Sequence, residues 1–263
     1  MGNTAKIVMW VLLFSAVTVL LGFVESSRNE QLCSEILIDI DRSKQNFFIY
    51  EEDIHAMIHH EVSAIVNRPL AELNSYEMEM QLNGHPSIKN AEVFKTLDGK
   101  LSIKIKQREP IMRVYSSNGD SYYMDKEGQL MPLSDQFTSR VMVANGFIYS
   151  PYTKFVGVNF SEELPDSILK RTQLDELFKY ADFISKNPFW KAQIEQLHVN
   201  KDMDIELIPR VGNHTIVFGD ANQIESKFEK LIVFYNKGLS NTGWNEYSVI
   251  NLKYEGQVVC TKR

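Results

Sequence analysis

The sequence has little of the chemistry that most enzymes carry. It contains only two cysteines, and no C-x-x-C pair, nucleophile elbow, phosphate-binding loop or dinucleotide-binding glycine pattern occurs. Carboxylates are numerous, but none stand out as a pair along the chain. Because glycosidase carboxylates are paired in space rather than in sequence, an enzyme of that kind stays open as an alternative. We predict no catalytic residue and no cofactor.

Histidine is scarce as well. His55, His59 and His60 fall on a predicted helix, where positions i and i+4 share one face. The H-E-x-x-H zinc pattern begins at His60-Glu61 but has Ala64 where its second histidine should stand. We therefore interpret these histidines as a solvated flank of the helix and predict no metal site.

Basic residues form no cluster. The formal net charge is −6 at pH 7, and no stripe of lysine and arginine runs along any segment. A nucleic-acid-binding surface needs such a stripe to neutralise phosphates. We expect no nucleic-acid partner, and nothing in the sequence indicates a small-molecule substrate.

Long apolar runs are absent except for one, Ile7 to Val24, which contains no charged residue. At about 1.5 Å per residue, this segment spans roughly 27 Å as a helix, close to the hydrocarbon thickness of a bilayer. We predict one membrane-spanning helix over 7–24. A buried core helix and a cleaved signal peptide are the alternatives, the latter because Val24-Glu25-Ser26 resembles a cleavage site. The predicted anchor residues are Ile7, Trp10, Leu13, Phe14, Leu20, Leu21 and Val24.

The charges beside this segment indicate its direction. Lys6 and the amino terminus precede it, whereas Glu25, Arg28 and Glu30 follow it. The positive-inside rule then makes residues 1–6 a short cytoplasmic tail and places the bulk of the chain on the opposite side. Residues 25–33 are predicted to be a polar tether.

Residues 34–108 have the element order of a small α+β module. Ile36, Ile38 and Ile40 alternate with other residues, which is typical of a strand. The acidic run Glu51 to Asp53 suits the first turn of a helix, which is predicted to end at Arg68-Pro69. A second helix is predicted at Tyr76–Leu82, followed by a hairpin of Ile88–Leu97 and Lys100–Gln107 around Asp98-Gly99. The order β-α-α-β-β is that of a POTRA domain, in which two helices pack on a three-stranded sheet.

Residues 109–263 are predicted to form a β-rich domain with two helices. One apolar stripe, Leu174 to Ile184, and a second, Ile224 to Tyr235, predict helices whose stripes belong to the core. Asp220 is the expected N-cap of the second helix, and Gly238 is expected just past its end. The predicted strands are Met112–Tyr115, Ser121–Asp125, Arg140–Ala144, Ile194–Val199, Ile205–Ile208, Thr215–Phe218, Tyr247–Lys253 and Gln257–Thr261.

The two cysteines, Cys33 and Cys260, lie at opposite ends of these two domains in series. In an oxidising compartment they would bridge if their Cα atoms came within about 7 Å of each other. Otherwise they are two separate thiols, with Cys33 leading into the first strand. Both interpretations are open.

Four short motifs lie in order along the chain and resemble those of a known family. They are Gln107-Arg108-Glu109-Pro110, which resembles E/Q-R-x-P; Tyr122 to Gly128, which resembles Y-Y-x-D-x-x-G; Phe218-Gly219 with Lys227 and Leu231, which resembles L-G-x…K-x…L; and Ile250 to Gln257, which resembles I-D-L-R-Y-x-x-Q. With the domain order, they make the chain similar to the bacterial cell-division family FtsQ, called DivIB in some bacteria. The tail from Val258 to Arg263 is most like that of Bacteroidetes-type members.

The resemblance implies a non-enzymatic scaffold of the divisome, anchored in the inner membrane at the septum, with its N-terminus cytoplasmic and its bulk periplasmic. In that family the β domain binds the periplasmic parts of FtsB and FtsL and so helps control septal peptidoglycan synthesis, while the POTRA module helps recruitment. Longer-tailed members have cytoplasmic interactions. We carry none over, because the predicted tail covers only residues 1–6.

The last strands, Tyr247 to Lys253 and beyond, are predicted to leave an unpaired edge to which a partner segment adds as a further strand. Aromatic residues often contribute most of the binding energy at such surfaces. The alternative for each candidate is an ordinary half-buried strand residue. The candidates are Trp244, Tyr247, Val249, Asn251 and Tyr254.

Two other functions compete with this one. A POTRA-containing component of outer-membrane assembly or secretion usually carries several such modules or a long β-barrel, whereas here one module precedes strands that helices interrupt. An anchored envelope enzyme is the alternative from another class.

Overall fold

The structure, a computed structural model, describes residues 8–20, 31–58 and 65–263. The chain divides into two compact units. The first takes in the residues up to Ser43 together with Ile49–Gln107, and the second takes in Lys44–Phe48 together with Arg108–Arg263. Aromatic packing accounts for the short insertion, because the Phe48 ring lies 4.9 Å from Phe137 and 5.3 Å from Tyr123, centroid to centroid.

Residues 8–20 form a helix, α1, with exposed apolar side chains. Four predicted anchor residues lie in it, namely Trp10, Leu13, Phe14 and Leu20. The others, Ile7, Leu21 and Val24, lie outside the described residues. Within the described ranges, no helix has both the length and the apolar character needed to cross a bilayer.

The first unit is a three-stranded sheet with helices, in the predicted order β-α-α-β-β. Its strand order is β1-β3-β2, with β1 parallel and β2 antiparallel to β3. The elements are β1 (Glu35–Asp41), α2 (Glu51–Met57), a 3-10 turn (Leu70–Glu72), α3 (Ser75–Asn83), β2 (Ile88–Lys95) and β3 (Lys100–Gln107).

Local sequence explains most of these elements. Gly99 has φ +86°, which only glycine adopts without strain, and it closes the predicted β2–β3 turn. Asp53 accepts a hydrogen bond from the Tyr50 N–H at 2.9 Å and so caps the start of α2. The part of this predicted helix at 59–64 lies outside the described residues. Cys33, expected in the tether, exchanges backbone hydrogen bonds with Asn67 and Arg68 and therefore belongs to the module.

The second unit is built on one nine-stranded sheet of order β12-β11-β10-β9-β8-β7-β4-β5-β6. All strands predicted for this unit are present within two residues of their predicted bounds. The elements are β4 (Pro110–Tyr115), β5 (Ser121–Asp125), β6 (Leu130–Met131), β7 (Met142–Gly146), α4 (Tyr152–Phe155), α5 (Asp166–Leu169), α6 (Leu174–Lys186), α7 (Pro188–Gln193), β8 (Ile194–Val199), β9 (Ile205–Pro209), β10 (Thr215–Gly219), α8 (Ile224–Phe234), a π-helix (Tyr235–Leu239), α9 (Ser240–Thr242), β11 (Tyr247–Asn251) and β12 (Val259–Lys262).

The core of this unit lies between the sheet and the helices α6 and α8. The Phe228 ring of α8 packs 4.6 Å from Phe218 of β10 and 4.6 Å from Phe183 of α6. The Trp190 ring adds a third contact at 4.8 Å. The side chains of the first stripe, from Leu174 to Ile184, are buried, and so are most of the second, so both stripes belong to the core, as predicted.

The predictions for both ends of α8 are wrong. Asp220 does not cap the helix, because its carboxylate accepts a hydrogen bond from Lys227 Nζ at 2.9 Å. Gln223 occupies the N-cap position with a left-handed φ of 55°. Gly238 does not lie past the end either, since the chain continues through the π-helix Tyr235–Leu239. Sequence periodicity also missed β6, α4, α5 and α7, which are short.

Candidate partner-binding site at the C-terminal edge

The outermost strand of the large sheet is β12, not β11. Residues Tyr247–Asn251 of β11 pair with β10 on one side and with β12 on the other. The prediction of an unpaired edge is therefore wrong for β11 and holds for Val259–Lys262, which ends the strand order. Among the described residues, no strand pairs with the outer side of β12.

The backbone phase of β12 identifies the groups on that outer side. The Arg263 N–H donates to the Glu246 carbonyl oxygen at 3.2 Å. In an antiparallel pair, alternate residues direct both N–H and C=O toward the neighbouring strand. Thr261 and Val259 alternate with their neighbours in the same way as Arg263, so their backbone groups also point toward β11. The backbone groups of Cys260 and Lys262 therefore point away from β11. We call β12, with the outward-facing backbone of Cys260 and Lys262, the C-terminal edge.

Two of the aromatic candidates, Trp244 and Tyr247, pack against other aromatic side chains of this unit. The Trp244 ring lies 4.9 Å from Tyr235 and 6.3 Å from His214. The Tyr247 ring lies 5.8 Å from Phe234. Both side chains are half-buried, so they support the sheet behind the C-terminal edge.

The other candidates have different positions. Val249 lies between Thr215 of β10 and Thr261 of β12, with both neighbours in register. The Asn251 Oδ1 accepts the Lys253 N–H at 3.0 Å and so holds the turn after β11. Tyr254 is 51% exposed in that turn, which makes it the most accessible of the five.

An open groove of about 590 Å³ lies beside the C-terminal edge, between α8 and the chain before β12. Val233 is 52% exposed and, with Phe234 and Val258, gives the groove apolar walls. Charged side chains of α8, including Glu229 and Lys230, line it as well. We call this the helix groove.

A lysine joins the helix groove to the turn that carries Tyr254. Lys230 Nζ donates to the carbonyl oxygens of Leu252, at 3.3 Å, and Tyr254, at 2.9 Å. Lys262 Nζ forms an ion pair with Glu246 at 3.2 Å, which ties the C-terminal edge to the start of β11. The Lys230 contacts therefore hold the turn after β11, whereas the exposed Lys262–Glu246 pair adds little.

Sequence reasoning missed the helix groove and placed the edge one strand too early. One signal was present: Val233 lies off the apolar stripe of its helix, and Val258-Val259 follow a glycine near the end of the chain. Val259 is 42% exposed. Apolar residues at such positions are candidates for a contact surface.

Burial shifts the pKa values of two titratable groups near this surface, Cys260 and His214. Burial raises the pKa of the Cys260 thiol, so the thiol stays protonated near neutral pH. Burial lowers the pKa of His214, whose Nε2 lies 3.2 Å from the Tyr235 hydroxyl. Neither arrangement pairs a nucleophile with a base.

The cysteines and the predicted histidine flank contribute no site in the parts of the chain that the structure describes. Cys33 is buried and Cys260 is half-buried, and both are free thiols. His55 lies on α2 with a buried, unpartnered Nδ1, whereas His59 and His60 lie outside the described residues. No group of three or more potential metal ligands occurs within the described ranges.

Comparison with known proteins covers both units. A protein-family model described as FtsQ/DivIB, C-terminal related, matches residues 109–261. A second model, described as a POTRA-like domain, matches residues 31–106. No curated protein matches the chain. The first match covers more than half of the chain and takes in the helix groove and the C-terminal edge as far as Thr261.

Proposed function

The chain belongs to the FtsQ/DivIB-type family and is a divisome-related protein, and on this premise we propose that it is a scaffold that binds other division proteins through the C-terminal edge. The family consists in general of non-enzymatic scaffolds. The POTRA-like module and the β-rich domain are the two parts expected of such a protein.

The observation that carries this proposal is the outer side of β12, with which no described strand pairs, beside an apolar groove. An extended partner segment gains affinity from main-chain hydrogen bonds to Cys260 and Lys262, and side chains that enter pockets provide specificity. The helix groove, with Val233 and Val258, supplies such a pocket on the same surface. Tyr254 is exposed at its border and adds an aromatic contact.

The partners we propose are the periplasmic parts of membrane-anchored FtsB- and FtsL-type proteins, and their binding helps control septal peptidoglycan synthesis. Residues 7–24 are proposed as the single membrane-spanning helix. This would leave residues 1–6 in the cytoplasm and the two units in the periplasm, at the inner membrane of the septum. The POTRA-like module is proposed to help recruitment.

Proline at an outward-facing residue of β12 tests the edge directly. Lys262→Pro removes an N–H that faces away from β11, so it deletes a bond to the partner strand without deleting one to the sheet. We expect partner binding to fall at least about tenfold, because one hydrogen bond is worth about 1 kcal/mol and the ring obstructs the added strand. The measurement is co-purification of tagged FtsB- and FtsL-type proteins with the full chain in detergent.

Lys262→Ala is the matched control, since it removes the Glu246 ion pair but keeps the N–H. It should bind partners nearly as the natural chain does. Far-UV circular dichroism checks that Lys262→Pro is folded. Undiminished binding by folded Lys262→Pro would contradict strand addition.

Val249 is a poor position for this test, although it is one of the candidate residues from the sequence. Because Val249 lies between two paired strands, proline there removes a ladder bond inside the sheet and lowers stability as well as binding.

A fluorescent fusion gives the second test. Septal fluorescence and filamentation on depletion support the scaffold, whereas diffuse envelope fluorescence with normal division favours a secretion component or an envelope enzyme.

A further inference from the structure

We propose that the second unit has another binding site, a cationic cleft that takes an acidic peptide segment carrying an apolar side chain. The cleft lies where the strands β4, β7 and β8 begin and has a volume of about 420 Å³. That volume lies in the range of ligand pockets, about 300–1,000 Å³. Arg140, Lys191 and Arg210 line it, with Glu195 as its single carboxylate.

The topology explains why a cleft opens here. The strands β4, β7 and β8 run parallel, so their first residues meet at one end of the sheet. The β4–β7 pairing begins at Met112 and Met142, and the β7–β8 pairing begins at Val143 and Gln196. Residue pairing therefore stops short of Ile111, Val141 and Glu195, which line the cleft.

The lower wall of the cleft is apolar. Ile111 and Val143 are half-buried and present apolar surface to the cleft, whereas Ile184 of α6 and Ile194 of β8 also line it but are each only 2% exposed. A surface of this kind gains free energy when an apolar side chain displaces water from it, at roughly 25 cal/mol per Å². A simple phosphate ion would leave this wall uncovered.

The three cations of the cleft are exposed and available to a ligand. In the part of the chain that the structure describes, Arg140, Lys191 and Arg210 form no ion pair and no side-chain hydrogen bond. Some other cations of this unit are paired, as Lys126 is with Glu109 and Lys186 with Asp182, at 2.8 Å and 2.6 Å, so what distinguishes these three is that they line one cleft. A local excess of positive charge in a chain of net charge −6 indicates a surface complementary to carboxylates.

Arginine suits this ligand class, because its planar guanidinium binds a carboxylate through two parallel hydrogen bonds. Arginine clusters are a recurrent means of recognising acidic motifs. The cleft is concave and combines apolar and cationic walls, which favours a peptide over a flat anionic lipid surface. Since β9, β10 and β11 separate β8 from the C-terminal edge in the sheet, this site is independent of the proposed partner site.

The test is binding of acidic peptides to the full chain in neutral detergent. The probe is a displayed hexapeptide library with Asp or Glu at three positions, and selected peptides are then labelled for fluorescence anisotropy. We expect selection of peptides with apolar residues between the carboxylates, and binding that weakens as salt increases. Arg140→Glu with Arg210→Glu should weaken binding at least about tenfold, since both charges then repel the ligand.

Arg171→Glu with Lys201→Glu is the charge-matched control, because both side chains are exposed and neither lines the cleft. Equal loss of binding in this control would overturn the site in favour of non-specific attraction. Selection of no peptide would overturn it as well. Vesicles of phosphatidylglycerol form the second arm, and vesicle binding that the cleft variant abolishes, without peptide binding, would assign the cleft to lipid instead.

Discussion

Arg108 and Asp125 form a buried ion pair in the second unit, with Nη1 and Oδ2 2.9 Å apart. The two residues belong to separate motifs of the sequence, the Q-R-E-P junction and the Y-Y-M-D-K-E-G segment. Asp125 also accepts the N–H groups of Glu127 and Gln129, at 2.9 Å and 2.8 Å, through its other oxygen. One carboxylate therefore closes the turn after β5 and fixes Arg108, two residues before the start of β4.

We predict that Arg108→Met destabilises the second unit by about 3 kcal/mol. Removing one member of a buried ion pair leaves the other charge without its partner, which costs about 3–5 kcal/mol when burial is complete. Arg108 retains some exposure, so the lower end applies. The measurement is the free energy of unfolding in urea, monitored by tyrosine and tryptophan fluorescence.

Arg108→Lys is the control for this prediction. It keeps the positive charge beside Asp125 but loses the planar donor geometry, so it should cost less than Arg108→Met. Equal urea midpoints for Arg108→Met and the natural chain would show that the pair contributes nothing to stability.

The strands were predictable from sequence because a period-2 pattern is local. Ser121–Asp125 and Ile194–Val199 have the predicted bounds. The order of the strands was not predictable to the same degree. Tyr247–Asn251 pairs in parallel with Thr215–Gly219, and α8 connects the two, so β11 lies inside the sheet although it is next to last in the chain. Local patterns do not contain such pairing.

The prediction of the N-cap of α8 was wrong for a related reason. Asp220 is a favourable N-cap residue in any local pattern. The buried ammonium of Lys227 instead donates a hydrogen bond to the Asp220 carboxylate, and the helix begins after Gln223. The cationic cleft was also hidden, because Arg140, Lys191 and Arg210 are far apart in sequence and show no basic stripe.

His214 makes the stability of the second unit sensitive to pH. Burial lowers its pKa in the folded protein, and the charge of Arg263 contributes to this. The unfolded chain takes up a proton below about pH 6.5, whereas folded His214 resists it, so stability is present above that pH and is lost as the pH falls. We expect the melting temperature to fall between pH 7.5 and pH 5.5.

His214→Phe should reduce this fall, because phenylalanine fills the buried position and does not titrate. Tyr235→Phe is the control, since it removes the hydroxyl that contacts His214 Nε2 but keeps the titrating imidazole. His85 of the first unit also has a pKa lowered by burial, so part of the dependence should remain. An unchanged pH dependence in His214→Phe would assign the effect to other groups.

Lys227 connects the stability of α8 with the proposed partner site. Its buried ammonium donates to the Asp220 carbonyl oxygen and to Asp220 Oδ1, both at 2.9 Å. The Tyr180 hydroxyl donates to the same carbonyl oxygen at 2.5 Å. These bonds hold the loop from which α8 starts, and α8 forms one wall of the helix groove.

We predict that Lys227→Met lowers the free energy of unfolding by about 2 kcal/mol, since hydrogen bonds that involve a charged group contribute about 1.5–3 kcal/mol. Methionine keeps the apolar stem and removes only the donors. Asp220→Asn should cost less, because the carbonyl acceptor remains and the exposed side chain returns to water. Co-purification of the proposed partners should fall in the order natural chain, Asp220→Asn, Lys227→Met, because a loosened loop shifts the groove wall. Equal partner binding at reduced stability would separate the fold of α8 from the binding surface.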